Sequence, residues 1–145
     1  PYPWDAYTAA MQPPPSQPLC RQIARTTVAT VVQRFYAAVL ADGRLAPYFS
    51  HIDDWPAHQR HIVDFWWGLM GGQVEQPRPN AMAAGHRAVP FGPQELKRWL
   101  TLFDTTLRQT LPAEAAERWG KMARGLGQRM REQGLVQAPS ASQNT

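Results

Sequence analysis

Trp55-Pro56-Ala57-His58-Gln59-Arg60-His61-Ile62-Val63-Asp64-Phe65-Trp66-Trp67 is the stretch on which the fold turns. His58, Ile62, Phe65, Trp66 and Leu69 recur at helical spacing, which predicts one buried helix with these side chains on its inner side. Asp53 or Asp54 can cap its start, and Pro56 is tolerated in a first turn, where its missing N–H costs nothing. Gly68, Gly71 and Gly72 loosen its far end, and Gln76-Pro77-Arg78-Pro79-Asn80 reads as a loop. Asn80 can then cap a short helix that places His86 near its end, on an element stiffened by Pro90. In Ala84-Gly85-His86-Arg87-Ala88-Val89-Pro90-Phe91, His86 is the one strong ligand for a metal.

Outward from this centre the pattern stays helical. Val28, Val31, Val32, Phe35, Tyr36, Val39 and Leu40 follow the spacing of a core helix, with Thr26 or Thr27 as its cap and Asp42-Gly43 as its stop. Pro47 forbids a long helix in Leu45-Ala46-Pro47-Tyr48-Phe49, so Phe49 falls at a corner between helices. Gly92-Pro93 opens another helix, with Leu96, Trp99, Leu100, Phe103 and Leu107 on one face. Leu111-Pro112 breaks the chain, and Trp119, Met122, Ala123, Leu126 and Met130 form the stripe of the last helix. Since no alternating strand pattern occurs, the fold class is all-α, with helices crossing around one core.

The chain has 145 residues, enough for one domain with its own core, and its 43% apolar and 10% aromatic content is that of a globular protein. A formal charge of +4 invites a nucleic-acid reading, but the basic residues are scattered, so neither nucleic acid nor membrane is expected as a partner. The single cysteine, Cys20, excludes an internal disulfide and covalent Cys-x-x-Cys-His attachment of haem. The apolar run Phe65 to Met70 is far short of the ~20 residues that cross a bilayer. Pro1-Tyr2-Pro3-Trp4 lacks the basic and apolar order of a secretory signal, so a cytoplasmic location is expected. Prolines at 1, 3, 13, 14, 15 and 18 make residues 1–25 a Pro-rich arm. The helical domain is expected over residues 26–135, with a Ser/Ala/Gln-rich disordered tail over 136–145.

Two histidines, His58 and His86, on separate helices among aromatic and aliphatic residues suit a flat iron macrocycle held between them. Each flanking residue has two readings. Tyr36 is either a core tyrosine bonded to a backbone carbonyl or a donor to a bound ligand. Phe49 is either ordinary core or a ring lying flat against the macrocycle. His58 is either a core histidine with a local partner or a group at the ligand. Trp99 is buried by its spacing, and its indole N–H needs an acceptor.

The chain resembles the truncated haemoglobins, and among them the third group, over roughly residues 28–132. The resemblance is carried by Phe35-Tyr36, by Phe49, by Trp55-x-x-His58-x-x-x-Ile62-x-x-Phe65-Trp66, by His86-x-x-x-Pro90-Phe91 and by Trp99-Leu100-x-Leu102-Phe103. It implies helices packed two over two around haem b (iron protoporphyrin IX), with His86 as proximal iron ligand. Tyr36, His58, Ile62 and Trp99 then form the distal pocket, with Tyr36, His58 and Trp99 as the reactive groups. Phe35, Phe65 and Phe91 join its walls, and His61 or Arg87 meets a propionate, with Arg60 and Arg78 as further candidates. The Pro-rich arm and the long loop before His86 depart from the family pattern.

With one axial imidazole, a five-coordinate iron keeps its sixth position for a diatomic gas. Buried O–H and N–H donors stabilise the charge that oxygen gains there, about 1.5 to 3 kcal/mol each. The consequence is slow oxygen release, which suits redox chemistry better than delivery. Three functions are therefore expected as alternatives: detoxification of nitric oxide or other reactive species, a peroxidase-like activity with His58 as acid/base, and a non-enzymatic gas sensor or oxygen-binding module. The sequence carries no flavin or nicotinamide motif, so the first of these needs a separate reductase.

Overall fold

In the computed structural model, which describes residues 17–75, 91–134 and 136, the backbone is helical and the described residues contain no strand. The α-helices are α1 (Arg25–Ala41), α2 (Trp55–Leu69), α3 (Pro93–Thr110) and α4 (Ala113–Glu132). Short 3-10 turns at Leu19–Arg21 and Ala46–Phe49 lie before α1 and between α1 and α2. The most extensive packing is of α1 on α2 and on α3, and of α3 on α4.

The helix ends obey local chemistry. Asp54 caps α2 by accepting the Ala57 N–H at 3.1 Å, and Pro56 and Pro93 occupy the first turns of α2 and α3. At α1 the expected cap is corrected: the helix begins earlier, at Arg25, and Ala24 in its cap position offers no side-chain bond. Thr26 and Thr27 lie inside the helix, where Arg25 is held by an ion pair to Asp64 of α2. Gly71 comes after α2 at φ +96°, a backbone region only glycine enters freely, and a Cβ there would stand 3.1 Å from Pro18.

The core is close to the one the spacing predicts, with two corrections. Val28, Val31, Val32, Phe35, Tyr36 and Val39 of α1 are buried, but Leu40 is 44% exposed. Leu69 is likewise 40% exposed, while Val63, Trp66 and Met70 are buried. The stripe of α2 is thus Val63-Trp66-Met70, at i, i+3 and i+7, and His58, Ile62 and Phe65 lie half-buried at its edge. Leu40 and Leu69 each stand next to a stripe residue at the end of a helix, about 100° round from it, on a side that stays largely exposed.

Part of the N-terminal arm belongs to this core. Leu19 and Ile23 are buried, the Cys20 N–H donates to the Met70 carbonyl at 3.2 Å, and Arg118 Nη2 donates to the Gln17 carbonyl at 2.6 Å. The remainder of the arm, residues 1–16, lies outside the described residues, as does the tail from 137.

The corner after α1 is held by Asp42. Its Oδ1 accepts the N–H groups of Arg44 and Leu45 at 3.0 and 3.2 Å, and its Oδ2 accepts from Arg98 Nε of α3 at 2.6 Å and forms an ion pair with Nη2 at 2.6 Å. The bond from Arg98 holds the carboxyl below the usual carboxylate range; its burial opposes this, and the backbone N–H groups add to it. A depressed folded-state pKa contributes stability that is present above the unfolded value of about 3.9 and lost as pH falls through the folded one. The thermal midpoint is therefore expected to fall below about pH 4, and Asp42→Asn should lower it at neutral pH while flattening that acid slope.

Candidate functional site

One aromatic corner collects most of the residues singled out above. Tyr36 of α1 is 6% exposed, and its ring lies 6.0 Å from the His58 imidazole, 5.5 Å from Trp55 and 5.7 Å from Phe49. The His58 ring stands perpendicular to Trp55 at 5.4 Å. Phe35, the neighbour of Tyr36, meets Trp99 edge-on at 5.1 Å, so α1 places one ring beside α2 and the next beside α3. Consecutive residues on a helix point about 100° apart, and that is why Phe35 and Tyr36 serve different neighbours.

The electrostatics of this corner are set by burial. The Tyr36 phenol is pushed well above its usual range by desolvation, against a smaller opposing pull from the Trp99 side chain. Yet Trp99 Nε1 has no hydrogen-bond partner of acceptable geometry among the described residues, although the side chain is 5% exposed. The acceptor that a buried indole needs is thus not supplied by the described chain. Trp119 Nε1 is also buried without a partner among the described residues, its ring packed against Trp66 and Phe103. Trp99 differs in lying next to the Tyr36 side chain, whose ring in turn meets His58.

His58 is half-buried, and its pKa is lowered by desolvation first, then by the nearby positive charge of His61 and His51. The neutral imidazole is the favoured form in the folded protein. Because the unfolded chain binds the proton more readily, stability rises with pH across the interval from the folded pKa up to about 6.5. A thermal midpoint measured from pH 5 to 7.5 should climb, and His58→Gln should make the climb shallower.

The other expected site residues fall at differing distances from this corner. Phe49 and Phe91 are buried and meet at 6.0 Å, with Tyr48 against Phe91 at 5.3 Å. Ile62 is half-buried and packs on the core, whereas Phe65 lies beside Trp66 at 5.2 Å, one step away from Tyr36. His61 and Arg60 are exposed at the rim of α2, as a propionate partner would be. His86 and Arg87 lie outside the described residues, as do Arg78, Asn80 and Pro90.

Two residues of this corner were not among the expected site residues. Trp55 touches Tyr36, Phe49 and His58, and its signal was its position one turn before His58 on the same helix. Phe103 stacks on Trp99 at 5.5 Å and 14°, and on Trp66 at 5.4 Å and 16°, backing the indole from the core side. A separate cleft of about 270 Å³ between α3 and α4 is lined by Lys97, Thr101, Asp104, Arg124 and Arg131. It contains none of Tyr36, His58 and Trp99, and its charged rim fits no haem pocket.

The comparisons bear on the family and the fold. The family model described as bacterial-like globin matches residues 23–132. The chain therefore belongs to the bacterial-like globin family, whose truncated members have the two-over-two helical fold. Among solved structures it is similar to the group III truncated haemoglobin of Campylobacter jejuni, at 25% identity and a TM-score of 0.67, over 77% of this chain and 91% of that one. It is similar to the haemoglobin of Chloroflexus aurantiacus at 26% identity and 0.68, over 79% and 98% of the two chains. The group II truncated haemoglobin of Bacillus anthracis shares the fold at 20% identity and 0.69, over 92% and 100%. No curated protein matched the chain. Membership of the globin family implies haem as cofactor and a diatomic gas such as oxygen as its ligand. No helix among the described residues is long and apolar enough to cross a membrane.

Proposed function

We propose that this chain holds haem b through His86, binds oxygen with it, and consumes nitric oxide or a related reactive species. The observation that carries this is the buried Trp99 N–H, without a partner among the described residues, near the buried Tyr36 side chain, whose ring in turn meets His58. These residues fit the group: a haem pocket needs apolar walls and a few donors without an internal acceptor, and this corner supplies both. Phe35, Phe49, Ile62 and Phe91 serve as the apolar walls, with Phe65 further along α2. His61 and Arg87 serve as partners for the propionates. The fold unit is proposed to run from about residue 17, where Leu19 and Ile23 are already packed, to about 135.

Haem supplies, when bound, an iron that takes a diatomic gas and exchanges single electrons. The chain does the rest. Trp99 N–H and Tyr36 O–H donate toward negative charge developing on the gas, and the surrounding rings keep water from competing for those donors. A phenol is protonated at physiological pH, and burial raises the Tyr36 pKa further, so it remains a donor. Electrons come from a separate reductase, and we place the reaction in the cytoplasm. The third truncated group is our assignment, on the combined motifs from Phe35-Tyr36 to Trp99-Leu100-x-Leu102-Phe103. A peroxidase-like role is the second reading, favoured by the neutral His58, which can accept a proton from a hydroperoxide.

Absorption spectra of ferric, dithionite-reduced and oxygenated protein, and then mixing of the oxygenated form with nitric oxide, test both. Rapid conversion to the ferric form with nitrate as product is expected. Absence of a haem band after addition of hemin would overturn the proposal, and slow conversion with fast turnover of hydrogen peroxide would favour the second reading.

A further inference from the structure

We infer that Asp42 and Arg98 are a positioning pair, which orients the Trp99 N–H relative to Tyr36 and thereby sets how firmly the site holds its gas; this rests on the function proposed above. The observation is one carboxylate with two tasks. Oδ1 of Asp42 closes the turn that ends α1, accepting the N–H groups of Arg44 and Leu45. Oδ2 takes both Nε and Nη2 of Arg98, the residue that precedes Trp99 on α3. Asp42 itself lies on the turn just after the helix carrying Tyr36. The carboxylate is 7% exposed, so this end of the pair is sheltered from the screening that weakens surface ion pairs.

A second set of contacts from the same turn reinforces the first. Arg44 Nη2 donates to Gln94 Oε1 at 2.6 Å, and Arg44 Nε lies 3.7 Å from Glu95, both in the first turn of α3. The 42–49 corner therefore grips α3 at its start and again at Arg98, one residue short of the indole. It also carries Tyr48 and Phe49, against which Phe91 packs. Two grips about one turn apart resist rotation of α3 about its own axis, which one contact could not do. A rotation of about 10° carries an atom about 5 Å from the helix axis through about 0.9 Å. A hydrogen bond aimed at a small ligand does not survive that displacement unweakened.

An ordinary structural ion pair between the same residues would predict a loss of stability and nothing more. Positioning predicts a change that passes through Trp99. The experiment compares wild type, Arg98→Met and Arg98→Lys, each with Trp99 intact and with Trp99→Phe. It uses the haem-loaded full chain and measures the oxygen release rate, the C–O stretching frequency of the carbon monoxide form and the thermal midpoint. Arg98→Met is expected to speed oxygen release about tenfold and shift the C–O frequency, with Arg98→Lys intermediate. On the Trp99→Phe background both effects should vanish, because the group through which the pair acts is gone.

A lower midpoint with unchanged release rate and frequency would overturn the inference, as would an effect that persists without Trp99. Should Arg98→Met fail to load haem, the Arg98→Lys series decides by the same criteria. If Trp99→Phe and Tyr36→Phe alone leave oxygen release unchanged, it is the proposed function that fails. If they speed it and Arg98 does not, only the positioning role fails.

Discussion

Replacement of His86 by alanine is expected to abolish stable haem binding. In the proposed function this side chain would supply the nitrogen that holds the iron, and the apolar walls would retain the macrocycle only loosely without it. Removal of a group that merely supports a metal ligand lowers affinity about 10- to 100-fold, so loss of the ligand itself should exceed about 100-fold. Titration of hemin into the apoprotein measures this directly. Added imidazole should restore the spectrum of the variant by occupying the space left by the side chain. A His86→Ala protein that keeps the reduced five-coordinate spectrum and loses haem no faster than wild type would move the axial role to another residue, with His58 the next candidate.

The second large effect concerns gas release. Tyr36→Phe and Trp99→Phe each remove one donor from the buried corner, and each donor to a charged acceptor contributes about 1.5 to 3 kcal/mol. Oxygen dissociation should therefore accelerate by about one to two decades in each single variant, measured by stopped-flow displacement with carbon monoxide. Haem content should stay at the wild-type level, because neither residue binds the iron. The double variant should lose less than the sum, since two donors serving one small ligand are coupled. The proposed role of Tyr36 would be falsified if its phenylalanine variant released oxygen at the wild-type rate. A pH profile adds a check: burial keeps the Tyr36 phenol protonated, so its contribution should be flat from about pH 6 to 9.

The helices were legible because their signals are local. Pro56 and Pro93 at first turns, Asp54 as a cap, the Leu111-Pro112 break and the apolar periodicity of α1, α3 and α4 each depend on residues within a few positions of one another. Leu40 and Leu69 failed for the same reason seen from the other side. Periodicity ranks the faces of a helix, but whether the last turn is covered depends on which element lies over it, and that partner is distant in sequence. The start of α1 shows this again: Thr26 and Thr27 are good caps by residue type, yet Arg25 extends the helix past them where it can reach Asp64 on α2.

For the site, residue types alone marked Tyr36, His58 and Trp99 as polar groups on apolar faces, because leaving a buried polar atom without a partner is costly. They also marked His86 as the ligand, through its place in a resembling pattern. Tertiary structure decided what lies between these residues. It set the 6.0 Å approach of Tyr36 and His58, brought Trp55 into the same cluster, and left Trp99 Nε1 without an internal acceptor among the described residues. It also joined Asp42 to Arg98 across 56 positions of chain. An unpaired N–H or a long-range ion pair is a relation between helices brought together by folding, whereas spacing along one helix is already written in the order of its residues.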